Sequence, residues 1–229
     1  MFCAVCGAAS GHGQAPFVPE QPPFVPATAR FVVVLDAAHG GDDTGGHSGN
    51  WTEKSFTLAL SVRLRSLLAA RGIPVVTTRE SDLAVEPGQR AETANHTNAQ
   101  ACLSLHASLG GSGIHLFVSS LAAAAPTRFE PWRTAQAASV DRSLALAGVL
   151  NSALLHAGMP ITLGRTALPV VDSMTCPALA VEVSPDRTSG ESSVDSLNDP
   201  AYQAHVAEAL AAALVEWRDE ESHLGAGPS

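Results

Sequence analysis

The sequence has no stretch approaching the ~18 uninterrupted apolar residues that a membrane-spanning helix requires. It is short of basic residues: 13 Lys and Arg against 22 Asp and Glu leave a net charge of −9. That argues against a nucleic-acid partner, whose affinity comes largely from Lys and Arg on phosphates; the excess acid serves solubility. Cysteine is sparse as well, with Cys3, Cys6, Cys102 and Cys176 only. Cys3 and Cys6 form a CxxC without a second pair, too little for a zinc ribbon. Cys102 and Cys176 lie in or beside apolar runs, where buried free thiols are expected. No disulfide framework follows, and the cysteines leave the compartment open. No Lys or Arg precedes Arg30, so "MFCAVCGAASGHGQA" lacks the positive start of a secretory signal and reads either as an atypical export signal or as a tail.

What is present organises as one domain. A chain of 229 residues can bury one sizeable core. Residues 1–28 read as the export-signal remnant followed by the proline-rich arm "PFVPEQPPFVPAT", 29–219 as the folded domain, and 220–229 as a flexible tail. Apolar strand-like runs (31–35, 73–78, 101–105, 114–118, 178–183) alternate with helical patterns (54–71, 87–99, 135–157, 200–217). This predicts an α/β fold with a mostly parallel central sheet and helices on both faces. In such sheets, sites gather at the carboxyl ends of the strands.

Three polar residues stand at those ends: His39, His106 and Glu182. Taken singly, His39 is most simply a hydrogen-bonded loop residue, His106 a satisfied semi-buried histidine, and Glu53 a carboxylate favoured at a helix N-terminus. Glu182, inside "PALAVEVS", is harder to dismiss, because a buried carboxylate needs a cation, a metal or a raised pKa. Together, two imidazoles and a carboxylate make a three-ligand zinc set with a position left open, and a second glutamate beside it suits a general base.

The segments "VVVLDAAHGGDDTGG", Glu53 opening a helix, "TTRESD", "SLHAS" and "PALAVEVS" resemble, in order, the zinc-dependent N-acetylmuramoyl-L-alanine amidases of the amidase-3 type, over roughly residues 30–217. The resemblance implies one Zn2+ per chain held by His39, Glu53 and His106, with Glu182 catalytic. It implies peptidoglycan as substrate, cut between N-acetylmuramic acid and L-alanine, and a periplasmic or secreted location. Arg79 matches the family's arginine after the second strand, Arg90 and Asn95 its next helix, and Asp36 is expected either to orient a ligand histidine or to bind loop amides. Ala37-Ala38 replaces Pro-Gly before the first histidine, "EVSPD" follows the catalytic glutamate in place of a glycine-aromatic sequence, and Ser108 stands where Asn is frequent. These departures touch substrate contacts rather than metal ligands. The alternatives are a zinc peptidase cutting within the stem peptide and a non-catalytic wall-binding homologue. No wall-binding repeat is visible, so affinity must come from the groove or from an activating partner protein. Residues 119–142 are long for a strand-to-helix connection. Phe129 and Trp132 in them are expected either to wall the groove or to pin the following helix to the core.

Overall fold

The computed structural model describes residues 31–126, 131–188 and 190–225, besides Met1. The chain divides into Met1–Arg30 and Phe31–Ser229, and the fold belongs to the second unit. The arm, Cys3 and Cys6, and Phe129 lie outside the described residues.

Strand β1 (Val33–Ala37) is buried at every position, as a strand covered on both faces must be. A two-residue hairpin follows, β2 (His47–Ser48) and β3 (Trp51–Thr52), and leads directly into α1 (Glu53–Ala70). Helix α1 lays Phe56, Leu60, Leu64 and Leu68 on the sheet, and burying one such leucine contributes roughly 1.5–3 kcal/mol. It ends where expected: Gly72, at φ +73°, lets the Ile73 and Gly72 amides return to the Leu68 and Ala69 carbonyls. Next come β4 (Val75–Thr77), α2 (Pro87–Asn95), β5 (Ala101–Ala107) and β6 (Ile114–Ser119). A 3₁₀ helix (Trp132–Ala138), α3 (Val140–His156), β7 (Ile161–Thr166), α4 (Pro169–Asp172), β8 (Ala178–Val183), α5 (Ser193–Asn198) and α6 (Pro200–Gly225) complete the order.

The sheet runs β4-β1-β5-β8-β6-β7. Pairings β4–β1, β1–β5, β5–β8 and β6–β7 are parallel, while β6 pairs antiparallel with β8. The carboxyl ends of β1, β5 and β8 therefore meet the beginning of β6 at one edge. Helices α1, α3 and α6 cover one face through Leu64, Leu146, Leu150, Leu210, Leu214 and Trp217. The other face carries a smaller cluster of Val34, Ala91, Ala94, Cys102, Met174 and Ala178.

Several expectations are corrected. Cys102 and Cys176 are not free thiols: they form a disulfide, with Cα atoms 6.2 Å apart, because β5 and the approach to β8 are sheet neighbours. Helix α2 stops at Asn95 rather than continuing to 99, since Asn98 sits at φ +50°. The expected helix over 135–157 is two pieces, broken at Ser139. The buried Gln136 amide donates to the Met174 and Cys176 carbonyls and accepts from Ser143 Oγ, which fastens the 3₁₀ piece to the approach of β8. Helix α6 continues past Trp217 to Gly225, so the expected tail begins too early; Glu221 on the added turn pairs with Arg142. Strand β7 adds to the strands expected from apolar runs: it is an edge strand with an exposed pattern and carries no such run.

Candidate metal centre at the carboxyl edge of the sheet

His39 follows β1 at φ +63°, a left-handed conformation that a non-glycine residue holds only when its surroundings impose it. Two buried guanidinium groups do so. Arg90 donates to the carbonyls of Ala37 (2.6 Å) and His39 (2.7 Å) and pairs with Asp36 at 2.8 Å. Arg79 donates to the carbonyls of Ala37, Ala38, Lys54 and Ser81 and to Thr57 Oγ1. Burial lowers the Arg79 pKa, and the neighbouring Arg90 charge adds to this. Both arginines thus shape the loop that aims His39. Asn95 bonds Ser173 and Thr175 and belongs to the packing of α2.

Asp36 does not orient a ligand histidine, nor does it bind loop amides. Its carboxylate accepts from Thr78 Oγ1, Arg90 and Ser104 Oγ, all side chains. The residue that orients His39 is Asp43, whose Oδ2 accepts from Nδ1 at 2.8 Å. Its signal was legible: a carboxylate four residues past the histidine, in the same glycine-rich loop. That bond keeps the proton on Nδ1 and turns Nε2 toward Glu53.

Glu53 opens α1 with its side chain buried. Its Oε2 lies 3.1 Å from His39 Nε2 and accepts from the Gly46 amide at 2.9 Å. Its Oε1 accepts from His106 Nδ1 at 2.9 Å and from the Ala107 amide at 3.1 Å. Burial works to raise the Glu53 pKa but is outweighed by bonds from His106, His39 and the two amides, which hold it far below the usual carboxylate range. The same Glu53 bond, then that of Asp43, raises His39. Gly45, at φ +62°, must be glycine here: a Cβ would lie 2.6 Å from the His39 ring and 2.7 Å from Glu53 Oε2.

One donor atom each from His39, Glu53 and His106 therefore lies within 4.8 Å of the others. The two rings meet edge to face with centroids 5.5 Å apart. Neutral imidazole nitrogens and a carboxylate are the donor set zinc takes, and three protein ligands leave a position open. The residues present fit that ion.

The chain matches the N-acetylmuramoyl-L-alanine amidase family over residues 33–216. It belongs to that family. A germination-specific N-acetylmuramoyl-L-alanine amidase of Bacillus subtilis strain 168 is 34% identical over 89 residues, which cover 33% of this chain and 38% of that protein. AmiA of Escherichia coli K12 is 40% identical over 79 residues, covering 34% of this chain and 27% of AmiA. The matched parts of these curated relatives are thus well under half their length. The catalytic domain of the amidase CwlV from Bacillus (Paenibacillus) polymyxa var. colistinus superposes with a TM-score of 0.65 at 26% identity, over 82% of this chain and 98% of that domain. An amidase from Clostridium difficile 630 superposes at 0.67 and 22% identity, over 84% of this chain and 98% of that one, a likeness of fold.

Within this amidase-family domain, Glu182 stands directly beside His106 in the parallel β5–β8 register and opposite His115 in the antiparallel β8–β6 register. Strand neighbours in register share a face, so His106, Glu182 and His115 form one row. Glu182 is half-buried rather than enclosed as the sequence suggested, while Val181 and Val183 on either side face the α1–α3–α6 core. Trp132 is not brought to this edge. Strand β6 runs opposite to β8, so the segment after it leaves from the far side. Trp132 is 59% exposed there, beside α2 with its flanking residues Glu86 and His96, and beside Ser173. It neither walls the metal centre nor serves as a buried pin.

Proposed function

We propose that the chain is a zinc-dependent, exported hydrolase of the amide between N-acetylmuramic acid and the L-alanine of peptidoglycan stem peptides. The observation that carries this is the convergence of His39, Glu53 and His106 with Glu182 in register beside them. His39 would present Nε2, His106 Nδ1 and Glu53 a carboxylate oxygen to one ion per chain. When bound, zinc supplies Lewis acidity, polarising a carbonyl and lowering the pKa of a water to about 7. With the ion bound, Asp43 would hold the His39 proton on Nδ1 and leave the Nε2 lone pair facing inward, and the Gly46 and Ala107 amides would keep Glu53 fixed. Among the described residues Glu182 accepts no hydrogen bond, so its carboxylate is free to take a proton from the attacking water and return it to the departing L-alanine nitrogen. Water oxygen joins the lactyl carbonyl carbon, the C–N bond breaks, and a carboxylate and an amine leave.

Export is supported by the Cys102–Cys176 disulfide, a bond that persists in oxidising compartments. No helix among the described residues is long and apolar enough to cross a membrane. The test is metal content by mass spectrometry alongside digestion of purified sacculi. His106→Ala is expected to lose zinc and activity together. Glu182→Gln is expected to keep zinc and lose a factor on the order of 10² to 10⁴ in turnover. Release of fragments cut inside the stem peptide, or full turnover in Glu182→Gln, would overturn the assignment.

A further inference from the structure

The row that begins at His106 and Glu182 continues across the sheet. His115 Nδ1 meets Thr162 Oγ1 of β7 at 2.6 Å, which fixes the ring toward the edge strand. Two residues on, on the same face, Phe117 also leans onto β7: a Cβ at Gly164 would lie 3.3 and 3.4 Å from two Phe117 ring carbons. Gly164 is thus the place where the strand leaves room for the ring. The His115 and Phe117 rings lie in planes 30° apart with centroids separated by 6.4 Å. Both are half-buried, and Thr162 and Thr166 beside them are exposed. The result is an aromatic floor, bordered by hydroxyls, that starts at Glu182 and runs away from the metal centre.

We propose that this floor is the subsite for the glycan arm of the substrate, with Phe117 and His115 as specificity-determining residues. The inference rests on the amidase reading of Glu182 and deepens it. Continuity with that carboxylate makes the floor reachable by whatever is bonded to the scissile amide. Its chemistry selects between the two arms. His115, Phe117, Thr162, Gly164 and Thr166 include no lysine or arginine, so they offer no fixed positive charge to pair with a peptide's free carboxylates. An aromatic face with hydroxyls at its rim suits a pyranose, which presents C–H groups on its faces and hydroxyls around its edge.

The experiment is a titration of the full chain with two probes, peptide-free GlcNAc–MurNAc oligomers and the free L-Ala stem peptide. Wild-type protein should bind the oligomers. Phe117→Leu, which keeps apolar volume but removes the ring, should weaken them about tenfold, or about 1.4 kcal/mol, and leave the stem peptide unaffected. Phe117→Trp should restore binding, and His115→Ala should act in the same direction as Phe117→Leu. Wild-type protein that ignores the oligomers, a Phe117→Leu variant that binds them normally, or equal weakening of both probes would each overturn the subsite. Failure of the wild-type protein to cut sacculi would instead sink the amidase reading, and the two failures are read in separate assays.

Discussion

Removing the Cys102–Cys176 bond should lower the stability of the domain without touching its chemistry. The bridge joins positions 74 residues apart, and loop-closure entropy for such a ring amounts to about 4.5 kcal/mol at 25 °C, the logarithm making the result insensitive to a few residues either way. For a domain of this size that corresponds to a fall in melting temperature of roughly 9–18 °C. Both sulfurs are buried, Cys102 in the α2-side cluster, so a Cys102→Ala/Cys176→Ala pair avoids placing a hydroxyl among apolar neighbours. The assay is thermal and urea unfolding of the oxidised protein, the reduced protein and the double variant. Because the bond acts on the unfolded chain, the urea slope should rise when it is gone. The register places Cys102 four residues before His106 on β5, about 13 Å along the strand. Turnover on sacculi well below the melting point should therefore persist. A melting shift under about 2 °C, worth less than about 1 kcal/mol on that scale, would refute the reasoning, as would the absence of a Cys102–Cys176 linked peptide in a non-reducing digest.

Asp43→Ala should weaken zinc about 10–100-fold, the usual effect of losing the partner that orients a ligand histidine; chelator competition giving wild-type affinity would show that His39 needs no such partner. Arg90→Met leaves Asp36 buried and unpaired beneath His39, at a cost of about 3–5 kcal/mol; urea unfolding within error of wild type would remove the pair from the account of the loop. Tyr202 is the one tyrosine of the sequence, so tyrosinate absorbance follows it alone. Burial, then the Asp186 charge, pushes its phenol up to about 12. The folded value lies above the unfolded one of about 10, so the stability it contributes is complete below that pH and lost as pH rises toward 12. A midpoint near 10 in the folded protein would contradict the burial.

The α/β alternation was written in the sequence because strands covered on both faces must be continuously apolar, as "FVVVL" and "PALAV" are, and because helices on such a sheet need one apolar stripe. His39, Glu53 and His106 were legible for a related reason: polar side chains at the ends of buried strands, or at the start of a helix next to one, stand out against their neighbours. What could not be read was whatever depends on two distant segments being adjacent. The Cys102–Cys176 bond exists because β5 and β8 pair, and neither cysteine's local surroundings contain that fact. Asp36 looked like a partner for His39 by proximity in sequence, yet Arg90, 54 positions away, occupies it instead. Trp132 belonged near the candidate metal centre only if β6 ran parallel to β8. Strand direction is decided by how the whole sheet closes its edge, and here that reversal carries Trp132 away and sets His115 opposite Glu182.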